Sequence, residues 1–176
     1  VEVGVSGIVP LKFNHLLQDE AQAILEGTRI KRTFAEQMQV WKKRILSDKK
    51  GNYVETKMIK ECLVRGLALP VPLVNNKIKF QKPKARSTLF IEGVDDKFKC
   101  YIKGKVEKEP DIAFIPTIRG LIAAIRPIIL PPWSIDFIVH VTDDFLSPEV
   151  LKQGVARAGQ CHGLGSHRPD FGRFII

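Results

Sequence analysis

The sequence predicts an α+β fold, an antiparallel sheet backed by helices, and three stretches carry that reading. Ile135, Phe137, Val139 and Val141 alternate cleanly with Asp136, Ile138, His140 and Thr142, the period of a half-buried strand. Ser147-Pro148-Glu149 then supplies an N-cap, a first-turn proline and an early acid, and Val150, Leu151, Gly154, Val155 and Ala158 continue as the apolar stripe of a helix. Residues 97–106 alternate again, with Phe98, Cys100, Ile102 and Gly104 on one face and Lys97, Lys99, Tyr101, Lys103 and Lys105 on the other.

The remaining elements follow in order. Residues 2–9 alternate weakly and read as a first strand that stops at Pro10. A loop over 11–14 leads past His15 to a short helix near 19–26, ended by Gly27. From Thr33 onward, Phe34, Met38, Trp41 and Ile45 fall on one helical stripe, with Lys42, Lys43 and Arg44 crowding the far side. The composition of 48–52, DKKGN, is that of a turn. Thr56 is expected to cap a helix that buries Ile59, Cys62 and Leu63 and turns Lys57, Lys60 and Arg65 to water. Strands are expected at 77–81, 87–92 and 97–106, and the apolar run IAAIRPIILPPW is expected to cover part of the core. A helix from Ser147 to Ala158 leads into a glycine-rich loop and a final strand at 174–176.

Charge narrows the function. The chain has 176 residues and a net charge of +9, an excess that commonly signals nucleic acid, an anionic membrane or an acidic partner. The three cysteines, Cys62, Cys100 and Cys161, are odd in number and widely spaced, which argues against a disulfide framework and for a reducing, cytoplasmic setting. The apolar run at 121–133 is broken by Arg126, Pro127, Pro131 and Pro132 and is too short to span a bilayer, so no membrane association is expected. No P-loop, dinucleotide fingerprint, nucleophile elbow or HExxH motif occurs. No cofactor or metal is expected: a zinc set would need Cys161, His162 and His167 with a distant fourth ligand, and Asp95-Asp96 and Asp143-Asp144 read as turn residues.

Two features suit a polyanion. Lysines around Tyr101 on one strand face can neutralise successive phosphates while the ring stacks a base, although lysines also discourage edge pairing on an ordinary polar face. The stretch AGQCHGLGSHRPDFGRFII at 158–176 sets Gly159, Gly163, Gly165 and Gly172 beside His162, His167 and Arg168, and glycine lets backbone N–H groups approach an anion. Helix, GLGSHRPDFGRF and terminal strand together resemble the C-terminal glycine-rich loop of the repeat-associated RNA-binding (RAMP) superfamily of CRISPR systems. Pro169 and Asp170 depart from its pattern. The tail also looks like that of uncharacterised phage and mobile-element proteins ending in G-x-G-x-x-R-P…G-R-F. The first resemblance implies a ferredoxin-like (RRM-like) C-terminal half and RNA contacts at Gly163, Gly165, His167 and Arg168.

The resulting expectation is one α+β domain, 1–176, with two fused ferredoxin-like halves (about 1–86 and 87–176) as the alternative. Its function is expected to be binding of single-stranded RNA, or single-stranded DNA, through Lys97, Lys99, Tyr101, Lys103, Lys105, Gly163, Gly165, His167 and Arg168. A self-assembling or partner-binding structural protein is the second reading, with the apolar run at 128–133 as its interface. A metal-independent endoribonuclease is the third, with His15 and His167 as the candidate bases.

Overall fold

The computed structural model describes residues 1–68, 82–117, 120–142, 146–166 and 168–176. The strand expected at 77–81, the Asp143-Asp144 pair and His167 lie outside them. The fold is mixed α+β with antiparallel strand pairing.

The chain opens with β1 (Glu2–Gly7), in which Val3 and Val5 turn inward and Glu2, Gly4 and Ser6 outward. A short β2 (Leu11–Lys12) follows where a loop was expected. Next come α1 (Gln18–Leu25) and α2 (Phe34–Val40), the latter capped by Thr33 accepting from the Glu36 N–H. The stripe expected to run on to Ile45 breaks instead. A tighter 3-10 turn, Trp41–Arg44, swings Trp41 and Ile45 into the core and leaves Phe34 and Met38 exposed. The expected turn at 48–52 joins β3 (Ser47–Asp48) to β4 (Gly51–Glu55).

Next, α3 (Thr56–Leu67) begins with Glu55, not Thr56, at its cap position. After it come α4 (Lys82–Thr88), β5 (Leu89–Gly93) and β6 (Lys99–Lys103). A long hairpin, β7 (Lys108–Thr117) and β8 (Gly120–Ile129), was not anticipated as a pair. Prolines demote a strand reading, and Pro110 and Pro127 stand opposite each other in this hairpin. The chain closes with β9 (Ser134–Val141), α5 (Pro148–Arg157), a π-helical turn (Ala158–His162) and β10 (Phe174–Ile175).

The larger sheet runs β10-β1-β9-β6-β4-β3, and β5 shares with β6 the edge of β9 away from β1. Along the chain, β1, α3, β5, β9, α5 and β10 follow one another as β-α-β-β-α-β, with the strands side by side in the order β10-β1-β9-β5. The N-terminal β1 therefore lies inside the sheet that the sequence reading gave to the C-terminal half. A second sheet, β2-β8-β7, carries the hairpin. The Gln37 amide of α2 donates to the Ala123 carbonyl at 3.4 Å and accepts from the Ile125 N–H at 3.0 Å, so a side chain covers part of the β8 edge.

One hydrophobic cluster extends from Val3 to Phe174. Helices α3 and α5 cross where small residues meet: a Cβ on Gly66 would stand 2.4 Å from the Gly154 carbonyl oxygen, so only glycine permits this spacing. Trp133 is the largest wholly buried side chain, and its indole N–H donates to the Val9 carbonyl at 3.0 Å. Trp133→Ala is expected to lower the unfolding free energy by about 3–5 kcal/mol, from the cavity and the orphaned Val9 carbonyl, as measured by urea denaturation.

Candidate nucleic-acid interface

The glycine loop is built by the fold and for it. Beyond the π-helical turn the chain doubles back, and its amides find backbone partners. Gly163 N–H donates to the Ala158 carbonyl, Leu164 to Gly172, Ser166 to Lys12 and Gly172 to Pro10, each at 2.8 Å. Gly172 has φ +73°, and a Cβ there would lie 1.9 Å from the Leu164 oxygen. Gly165 has φ +76°, and its Cβ would meet the Lys12 oxygen at 2.4 Å. The N–H groups of Gly163, Leu164, Ser166 and Gly172 thus serve to lock the loop rather than to present amides outward. Leu164, between two of the glycines, is buried.

The loop seats on Lys12, a lysine buried almost completely in β2. Its ammonium pairs with Asp111 of β7 and lies 4.3 Å from the centre of the Phe171 ring. One cation therefore joins the N-terminal strand, the hairpin and the C-terminal loop.

The docked loop brings charge to a corner at the C-terminal end of α3. Burial, together with the positive charges of Arg65, Arg168 and Lys82, holds the His162 imidazole below its ordinary pKa, against a hydrogen-bonding contact with the Arg65 backbone. His162 Nε2 is enclosed and has no hydrogen-bond partner. Arg65 and Arg168 also act on the nearby Cys62 thiol, which burial pushes up to about 12. Glu61, one turn back on α3, is held by both nitrogens of an Arg86 fork at 2.9 and 2.8 Å. Among the described residues no carboxylate forms an ion pair with Arg65, Lys82 or Arg168. The intervening sequence 69–81 contains no Asp or Glu and adds Lys77 and Lys79. The arrangement can hold an anion by charge. Its enclosed imidazole nitrogen is not placed to take a proton from a substrate hydroxyl.

The basic strand is shorter than its alternation implied. Asp96 accepts from the N–H groups of Phe98 and Lys99, so a turn persists through Phe98 and β6 starts at Lys99; Gly104, at φ +97°, follows its end. The row of five reduces to Lys99, Tyr101 and Lys103. Lys97 lies in the turn with its ammonium 5.9 Å from the Phe98 ring, Lys105 lies exposed beyond β6, and Phe98 is exposed rather than inward-facing.

The row itself is laced with acids. Lys99 pairs with Asp48 at 2.6 Å, Lys103 with Asp136 at 2.5 Å, and the Tyr101 hydroxyl donates to Asp48 at 2.9 Å. Tyr53 meets Tyr101 edge-on at 6.0 Å, and Lys50 lies 5.7 Å from the Tyr101 ring.

Among the other candidates, His15 is exposed before α1, where its carbonyl accepts from Arg44 at 3.2 Å. His140 pairs with Glu92 at 2.9 Å on the larger sheet. Cys62 and Cys100 are buried and Cys161 is exposed. Among the described residues no three His, Cys, Asp or Glu side chains gather as a metal-binding group. Arg65 is exposed, as a lone basic residue on a helix is expected to be, and only the packing of α3, α4 and the loop sets its charge and that of Arg168 against the same His162.

The Lys99 hydrogen bond pulls the Asp48 carboxyl from its ordinary 3.8 down to about 2. A depressed carboxylate adds stability above its unfolded value and loses it as pH falls through the folded one. The stability difference between wild type and Asp48→Asn is therefore expected to shrink between about pH 3.8 and about pH 2 in urea titrations, with no comparable change between pH 5 and 7. Searches of protein-family models and of curated proteins find no match to this chain.

Proposed function

We propose that this protein binds single-stranded RNA and does so without cleaving it. The observation that carries the reading is the corner of Arg65, Lys82 and Arg168, whose charges have no carboxylate in ion-pair contact among the described residues. The three cations act on one part-buried imidazole, and a phosphate group beside it would be attracted by all three. The net charge of +9 supports the same partner over a longer range. Lys99 and Lys103 serve as secondary contacts, because a phosphate there must compete with Asp48 and Asp136.

The β-α-β-β-α-β order of β1, α3, β5, β9, α5 and β10, ending in GLGSHRPDFGRF, supports a ferredoxin-like reading and the likeness to the repeat-associated RNA-binding superfamily. In this reading the glycines shape the loop, and Arg168 and His167 supply its contacts. A reducing, cytoplasmic setting fits the three unpaired cysteines. No helix among the described residues is long and apolar enough to cross a membrane.

Assembly is the second reading; Ile128, Ile129 and Trp133 of its expected interface at 128–133 are buried in the core, and exposed Ile112, Phe114 and Ile122 on the hairpin favour it instead. Light scattering that gives a defined oligomer free of nucleic acid supports it.

Fluorescence anisotropy with oligouridylate RNA and oligothymidylate DNA across a salt series tests the main proposal, followed by a gel of the RNA. Arg168→Ala is expected to weaken binding similarly for all sequences and to reduce the log–log salt slope by about one. A slope unchanged in both Arg168→Ala and Arg65→Ala removes the corner from the interface. A cut RNA band replaces the binder with a nuclease. Phosphate contact opposes the depression of the His162 pKa, so affinity is also expected to rise as pH falls below the ordinary imidazole value of 6.5, in the sense of proton uptake on binding.

A further inference from the structure

We infer that the groove between the first turn of α3 and β5 is a stacking site for unpaired bases of a single-stranded nucleic acid, an assignment that rests on the function proposed above. The groove has a volume of about 360 Å³ and is lined by α3, β5, the turn after β5 and His140 of β9. Two phenylalanines open into it, Phe90 at 51% exposure and Phe98 at 68%. An exposed phenyl ring gains nothing from the core, and two in one groove offer flat apolar surface to something outside the chain.

Charge selects the occupant. Lys60 holds its ammonium 5.0 Å from the centre of the Phe90 ring, and Lys97 holds its own 5.9 Å from that of Phe98. Neither lysine has an acidic ion-pair partner among the described residues. The carboxylate in the groove, Glu92, is engaged by His140 at 2.9 Å, and Lys57 is engaged by Glu55 at 2.8 Å. The chemistry left without an acidic partner among the described residues is thus two rings, each with an ammonium group beside it. A ring stacks a base irrespective of its identity, and an adjacent lysine meets the phosphate that accompanies it. An apolar peptide would leave the ammonium groups without a partner, and an acidic peptide would leave the rings without one.

The backbone explains why these rings point outward. Phe90 stands opposite His140 in the β5–β9 ladder, on the face away from buried Leu89 and Val139. The Asp96 turn ends the strand alternation before Phe98, so its ring is not drawn into the core beside Cys100. This site is separate from the arginine corner, since neither Arg65 nor Arg168 lines the groove.

The test compares fluorescein-labelled oligouridylate with an oligomer of equal length and charge whose internal positions are abasic. Wild type is expected to prefer the base-bearing strand by about five- to hundredfold, the range for one stacked base. Phe98→Ala and Phe90→Ala are expected to remove most of that preference. Phe98→Leu, which keeps apolar area without a π face, is expected to resemble Phe98→Ala. Phe98→Trp is expected to retain the preference and to show indole quenching on titration. Arg168→Ala should weaken both strands equally.

Equal affinity of wild type for both strands, or a preference that survives both alanine variants, overturns the stacking site and leaves the charge-based function standing. Absence of binding to either strand at low salt overturns both. A polyglutamate peptide whose binding is lost in Phe98→Ala while strand affinities stay unchanged assigns the groove to a protein partner instead. Both rings are largely exposed, so the variants are expected to fold, which circular dichroism verifies.

Discussion

The burial of Lys12 constrains the rest of the molecule. An ammonium taken out of water is tolerated only with a close counter-charge and further polar or π contacts, and Lys12 obtains these from Asp111 and the Phe171 ring. These partners lie about 100 and 160 residues away in sequence, so the ion pair and the ring contact exist together only when hairpin, N-terminal strand and C-terminal loop have all docked. The backbone of the same segment reinforces it. The carbonyls of Pro10 and Lys12 accept from the Gly172 and Ser166 N–H groups, which pins the loop on both sides of its bend. A loop fixed in this way carries little conformational entropy into binding, and whatever its side chains grip is gripped by a preformed surface.

The consequence for charge follows directly. With the loop seated, the charges of Arg168 and of Arg65 on α3 both act on His162, which the π-helical turn carries. The close α3–α5 crossing at Gly66 and Gly154 allows this, because it brings the last turn of one helix against the end of the other. In the proposed function, an external anion would be attracted by the charges of Arg65, Lys82 and Arg168 together. On the sheet the arrangement is opposite: Lys99 and Lys103 are matched with Asp48 and Asp136, and their exposure implies modest ion-pair strength screened by salt. Among the described residues, Lys99 and Lys103 are thus matched by carboxylates on the sheet, whereas Arg65, Lys82 and Arg168 have none in ion-pair contact. Total charge does not distinguish the two kinds of lysine; their neighbours do.

The groove at β5 adds what charge alone lacks. Phosphates attract any basic surface, whereas a π face is available only to a base that has left its stack. Separate phosphate and base-stacking sites would make the molecule sensitive to both the charge and the single-stranded state of its ligand.

Local chemistry was legible wherever short-range rules decide the outcome. Ile135 to Val141 form a strand because their alternation fits a sheet with one buried face, and Ser147-Pro148-Glu149 start a helix because cap, fixed φ and early acid act within one turn. The buried cysteines, the α+β class and the terminal strand followed from the same rules. What remained hidden depends on contacts distant in the chain. The β7–β8 hairpin pairs proline opposite proline, a choice that strand propensity opposes and the second sheet imposes. The break of the helical stripe at Val40 comes from the core's demand for Trp41 and Ile45. The glycines at 163, 165 and 172 announced an unusual backbone, but their reason, the close approach to Lys12, Leu164 and the 171–173 backbone, needs the folded chain. Sequence alone determined which residues carry charge and which favour strand or helix. Only tertiary structure decided which charges are neutralised and which stand together, because that depends on distances set by the packing of remote segments.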